Sequence, residues 1–127
     1  MNALLLLAAA VTAAVSLLHV IAGHRDPVLV LLASELSEVP KRTLHAVWHL
    51  VSLELFLSAA ALTVAGLADP ADARPLLLFL GLQFAGYTAV FLTITLAVDW
   101  PRALWRLPQW MLFPPIVVLI ALGGWPP

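Results

Sequence analysis

The chain has 127 residues, a formal net charge of −1, four histidines and no cysteine. With 63% hydrophobic and only 10% charged residues, and a mean hydropathy of +1.04, it falls far from the roughly 25% charged residues of soluble domains. That excludes a soluble fold; the absence of a basic stripe argues against nucleic acid, and the lack of cysteine removes disulfides, thiolate ligands and a Cys nucleophile.

In chain order, the first apolar run covers residues 3–22. The stretch before Ala14 lacks the positively charged region of a secretory signal, so it reads as part of a first span. Asp26-Pro27 has the form of an N-cap followed by a proline at the first helical position, and Pro40 looks like a stop. Residues 28–39 between them are too few to cross a bilayer, which predicts a short interfacial or re-entrant helix. This element would sit as a lid beside His24 and His45 and could bring Glu35 or Glu38 to them. Further apolar runs cover 44–68, 76–98 and 107–123, each in or near the roughly 17–25 residues a span requires. Pro114-Pro115 should bend or break the last one.

The predicted fold is therefore all-α: a four-transmembrane-helix bundle, with the short helix between the first and second spans, forming one membrane-embedded domain over 1–127. Arg25, Lys41 and Arg42 lie in the first connection and Arg102 and Arg106 in the third, whereas the middle connection, 69–75, holds only Arg74. The positive-inside rule then predicts a bacterial inner-membrane protein with both termini outside the cytoplasm. Trp100, Trp105 and Trp110 fall on the basic side and read as an interface anchor.

Histidines carry the first candidate site. His45 and His49 are one helical turn apart, so both imidazoles lie on one face. His19 ends the preceding span at an overlapping depth. Thr12, Ser16, His19 and Gly23 form one stripe on the first span, and His45, His49, Ser52 and Phe56 form another on the second; in hydrocarbon, two such stripes should face each other. Three neutral imidazoles suit zinc, copper or iron, with His24, Glu35, Glu38 or Asp99 as a fourth ligand. Haem held between His19 and His49 ranks lower, because His45 would crowd the macrocycle or be left spare. The plainer alternative has His45 and His49 bonded to backbone carbonyls or lipid headgroups.

Glu54 carries the second candidate site, near the middle of the second span. At about 100° per residue it points roughly 140° away from His49, on a face with Ser58, Ala61 and Ala65. That small-residue spacing lets membrane helices approach closely. It predicts contact with Gln83, Tyr87 or Thr88 of the third span, or a homo-oligomer through the same face. As a protonatable coupling group, Glu54 would make the chain a small proton-driven transporter; its plainer role is a neutral carboxyl bonded inside the bundle.

No phosphate loop, no placeable Ser-His-Asp order and no second histidine box is present, so an enzymatic role would have to come from an open metal position. The pieces Leu18-His19-Val20-Ile21-Ala22-Gly23, Trp48-His49-Leu50-Val51-Ser52 and Pro108-Gln109-Trp110 resemble those of small bacterial four-helix integral membrane proteins. The resemblance implies four spans and draws attention to His19, Trp48 and His49, but implies no activity. The leading expectation is a histidine-lined transition-metal site at the cytoplasmic end. A proton-coupled transporter built around Glu54 comes second, and a structural or assembly subunit third.

Overall fold

The computed structural model describes residues 1–68 and 70–125, and every element among them is helical. Helix α1 (Ala3–Gly23) passes through a wide π turn (His24–Val28) into the short α2 (Leu29–Ala33). Helix α3 covers Glu38–Leu67 and α4 covers Pro70–Ala97. A four-residue helix α5 (Ala103–Arg106) and a 3₁₀ turn (Pro108–Met111) lead to α6 (Pro114–Gly124). Three segments, Ala3–Ala33, Glu38–Leu67 and Asp72–Ala97, are long and apolar enough to cross a membrane. These make it a membrane protein. Helix α6 is only about 16 Å long at ~1.5 Å per residue, against a hydrocarbon core of about 30 Å, and with the 3₁₀ turn it forms a shorter apolar segment, Pro108–Gly124.

The connection between the first two long helices differs from the expectation. Asp26-Pro27 does not start a separate helix, because α1 runs on to Ala33 without leaving helical geometry. A proline inside a helix has no N–H for the carbonyl one turn back and presses its ring against it. The π turn over His24–Val28 contains Pro27 and widens the helix there. Pro40 likewise does not stop a helix. It stands in the first turn of α3, where an N–H has no intrahelical partner to lose. The reversal falls at 34–37 instead, where the Ser34 hydroxyl donates to the Leu31 carbonyl at 2.7 Å. Asp69, in the middle connection, lies outside the described residues.

Packing fixes the order of the helices. Helix α1 lies along α3 for most of its length, α4 lies against α6, and α3 touches α4 over a shorter stretch. Trp48, Ser52, Leu55, Ala59, Leu62 and Gly66 of α3 recur at alternating intervals of four and three residues, and from Ser52 onward all are buried. This stripe faces α1. The Asn2 N–H donates to the Gly66 carbonyl at 2.7 Å while, at the far end, His19 meets Trp48, so the two helices are antiparallel. Five of the fully buried apolar side chains, Leu5, Leu62, Leu77, Ile116 and Ile120, are each at most 1% exposed. They gather toward the end where α1 begins and α6 finishes.

Asn2 ties that end together. Its side-chain oxygen accepts from the Leu4 and Leu5 N–H groups at 3.1 and 3.2 Å, while its amide donates to the Gly123 carbonyl at 2.8 Å. One residue therefore caps α1, holds the last turn of α6 and reaches the last turn of α3. Losing an N-cap costs about 1 kcal/mol, and an unpaired carbonyl adds to it. Asn2→Ala should lower the unfolding midpoint in detergent by several degrees. Asn2→Asp, which keeps the cap and loses the donor to Gly123, should fall between it and wild type. Thermal melts followed by circular dichroism check this, and an Asn2→Asp midpoint equal to that of wild type would rule out the bond to α6 as a contributor.

Candidate functional sites

At the basic end of the bundle the four histidines part company. His45 and His49 sit together, with their Nε2 atoms 3.1 Å apart and ring centroids 4.8 Å apart. His19 joins neither. It stacks flat on the Trp48 indole, with centroids 3.7 Å apart and planes 14° from parallel, and its Nε2 lies 3.5 Å from the Trp48 carbonyl oxygen. His24 is exposed on the π turn, Glu35 in the bend after α2, and Asp99 just past α4. Glu38 is engaged by Arg42 at 3.1 Å and Lys41 at 3.4 Å. Among the described residues, no three His, Asp or Glu side chains come together as a metal would require.

The reason lies in the rotation of α3. Of the predicted stripe of His45, His49, Ser52 and Phe56, Ser52 faces α1 and the others do not. Trp48 takes that position and His49, one residue on, is turned about 100° away and exposed, as is Phe56. Gly23 makes room for the exchange: a Cβ there would overlap the Trp48 ring. On α1 the stripe is as expected, with Thr12 and Ser16 fully buried and each donating to the carbonyl four residues back at 2.8 Å.

Glu54 stands at a different depth. It is about 24 Å from the start of α3 and about 20 Å from its end at ~1.5 Å per residue, close to the middle of the span. Most hydroxyls of the long helices bond to the carbonyl four residues back, as do Ser52, Thr63, Thr88 and Thr95. Ser58 does not. It gives its hydrogen to Glu54 Oε1 at 2.6 Å, and the Gln83 amide of α4 donates to the same oxygen. Gln83 also lies 3.4 Å from the Ser58 hydroxyl. The Tyr87 phenol faces Glu54 and Gln83, held by edge-on packing against Phe84 and Phe113 at centroid distances of 6.0 and 5.5 Å.

The second carboxyl oxygen is treated differently. Glu54 Oε2 is buried and accepts no hydrogen bond from the described residues. Glu54 also lines a groove of about 340 Å³ between α3 and α4, whose walls are almost entirely apolar. Sequence spacing put Glu54 and Ser58 on one face, but nothing in the spacing told the two carboxyl oxygens apart. Ser58 and Ala65 of that face are 4% and 1% exposed, covered within the chain itself.

Comparison with protein-family models, with curated proteins and with solved structures gave no match to this chain. The chemistry of the two sites therefore has to carry the functional argument.

The stacked pair makes a prediction of its own. Gly23→Ala should push Trp48 aside and part it from His19, at the roughly 1–3 kcal/mol that overpacking costs. Tryptophan is the environment-sensitive reporter here, and reading it alone requires the other four tryptophans replaced by phenylalanine. Gly23→Ala in that background should shift Trp48 emission to the red and lower the unfolding midpoint. An unchanged spectrum would mean that the ring does not depend on the glycine notch.

Proposed function

We propose that the protein is a small proton-linked membrane carrier in which Glu54 alternates between a proton and a solute. One observation carries this reading: the two oxygens of a single mid-membrane carboxyl are unequally served. Ser58 and Gln83 both donate to Oε1, so their hydrogens solvate a carboxylate. Oε2 is buried and accepts no hydrogen bond from the described residues. An ionised oxygen left so in hydrocarbon costs several kcal/mol, and a proton or a positively polarised solute group relieves it equally well. Both cannot occupy the same place. Mutual exclusion at one oxygen links the movement of a proton to that of a solute, which is the minimum an exchanger needs.

The packing supports the same reading. Helices α1 and α3 form one close pair and α4 and α6 another; α1 against α6 joins the pairs along one seam, and the thinner α3/α4 contact along the other is where Glu54 and Gln83 meet. Rocking one pair against the other would open that seam to alternate sides, as in carriers that move two bundles around a midplane site. The basic residues of the connections favour a histidine end on the cytoplasmic side of a bacterial inner membrane.

Carbodiimide chemistry tests the proposal without a known solute. Dicyclohexylcarbodiimide adds to protonated carboxyls in apolar surroundings. Intact-mass analysis should show one adduct, at Glu54, forming more slowly as pH rises and absent in Glu54→Gln. In liposomes the same variant should lose any solute-dependent proton flux while its metal content stays unchanged. Labelling at Glu35 or Glu38 alone, or labelling indifferent to pH, would overturn the exchange reading.

A second reading rests on the His45–His49 pair. Two nitrogens each 2.0–2.1 Å from a tetrahedral ion stand roughly 3.3 Å apart, and the Nε2 atoms are already at 3.1 Å. The pair could supply two ligands to zinc, copper or iron, with the rest from water, lipid headgroups or another chain. A haem between His19 and His49 would require the His19 ring to leave its stack on Trp48. Elemental analysis of protein purified without a polyhistidine tag should find metal that His49→Ala loses and His19→Ala keeps. Metal-free wild-type protein after loading would end this reading.

A further inference from the structure

Resting on the exchange reading of Glu54, we infer that the solute is a lipophilic cation that enters the α3/α4 groove sideways from the bilayer. The groove combines one carboxyl oxygen with hydrocarbon. Leu50, Leu53 and Leu57 of α3 and Leu76, Phe79 and Leu80 of α4 form its walls, around Glu54, Ser58 and Gln83. Leu50, Leu53, Leu57 and Phe79 are 57–63% exposed on the outer surface of the bundle. In a membrane protein that surface meets lipid, so the groove opens to the acyl chains. Its volume of about 340 Å³ lies at the small end of the 300–1,000 Å³ of typical ligand sites.

Elimination narrows the class of solute. Small inorganic cations exchange their hydration shell for several oxygen ligands, commonly six to eight for calcium, whereas this groove offers the Glu54 carboxyl and two neighbours already bonded to it. Anions meet a carboxylate. A neutral hydrocarbon fits the walls but leaves Oε2 unpaired, so it gains nothing from the one polar atom and displaces no proton. A cation carrying its own apolar surface satisfies both parts, its charge at the Glu54 carboxyl and its hydrocarbon against the leucines. Phe79 adds an aromatic wall of the kind that attracts cations. A solute of this kind partitions into membranes, which explains why the entrance faces lipid.

The same face could be covered by a second copy of the chain. Two copies meeting there would bring two Glu54 carboxyls together, and the small residues that favour close helix contact, Ser58 and Ala65, are already buried within each chain. The cation is the better occupant.

Full-length protein in lipid nanodiscs provides the test, with tetraphenylphosphonium as the probe. Two controls divide its properties: tetramethylammonium has the charge without the apolar surface, and triphenylphosphine oxide has the apolar surface without the charge. Tetraphenylphosphonium should bind saturably, one per chain, release protons on binding and slow carbodiimide labelling of Glu54 at least tenfold. Neither control should protect at the same concentration. Glu54→Gln should abolish binding, and Phe79→Ala, which keeps the carboxyl and should still be labelled by carbodiimide, should weaken binding severalfold. Equal protection by either control, or binding that survives in Glu54→Gln, would overturn the inference. So would a dimer in native mass spectrometry that blocks labelling and dissociates in Leu57→Trp, since a second copy would then fill the groove. Labelling of Glu54 that falls with rising pH but ignores tetraphenylphosphonium would remove the lipophilic cation and leave the exchange reading standing. Absent labelling would remove both.

Discussion

Hydrocarbon offers no hydrogen bonds, so every polar group carried into the bilayer has to find its partner inside the protein. Most of this chain meets that demand locally. Thr12, Ser16, Ser52, Thr88 and Thr95 each bond back to their own helix, an arrangement that needs no second helix and leaves the outer surface apolar. Glu54 cannot do so, because a carboxylate has only acceptors to offer and the backbone N–H groups around it are already used. Its Oε1 is served by a hydroxyl on its own helix and an amide on α4, which ties α3 to α4 at mid-depth. Its Oε2 stays outside the arrangement. Among the described residues Gln109 Oε1, on the 3₁₀ turn, is the other buried side-chain oxygen left so, and the one at mid-depth is where chemistry can enter.

The basic end follows a different logic. Trp48 fills the seam between α1 and α3, resting on His19 and over Gly23. The indole contributes far more buried area than a second imidazole would, and aromatic stacking adds about 0.5–1.5 kcal/mol beyond area alone. With Trp48 in the seam, His49 is turned outward and pairs with His45. Packing therefore wins over a possible metal cluster at this point. The histidines divide into His19, which braces the helix pair, the outward His45–His49 pair, and His24, exposed on the π turn.

The two centres lie at different depths and do different things to the bundle. Asn2 binds three helix ends at the closed end, His19 and Trp48 brace α1 against α3 at the other, and the middle is held across α3 and α4 by Glu54, Ser58 and Gln83. The α3/α4 seam is the thinner of the two contacts that join the helix pairs, the other being α1 against α6, and it is where the bundle can open with less loss of apolar contact. It is also where the free carboxyl oxygen is found.

Length, composition and hydrophobic runs alone determine that this is a helical membrane protein, since burying so much apolar surface in so few residues leaves no soluble alternative. Local helix geometry also determines that His45 lies beside His49, that Ser58 lies beside Glu54, and that Glu54 is mid-span, because turn and rise are properties of the chain itself. Rotation about the helix axis is not such a property. Whether His49 or Trp48 faced α1 depended on a notch at Gly23, more than twenty residues away, and whether Gln83 reached Glu54 depended on how α4 leaned. The path through Pro27 and Pro40 was also decided in three dimensions: a proline signals the loss of an N–H, but only the surrounding structure decides whether a wider turn absorbs that loss, a first turn hides it, or the helix ends. The asymmetry of the Glu54 oxygens is tertiary throughout, because it records which donors arrived from another helix and which did not.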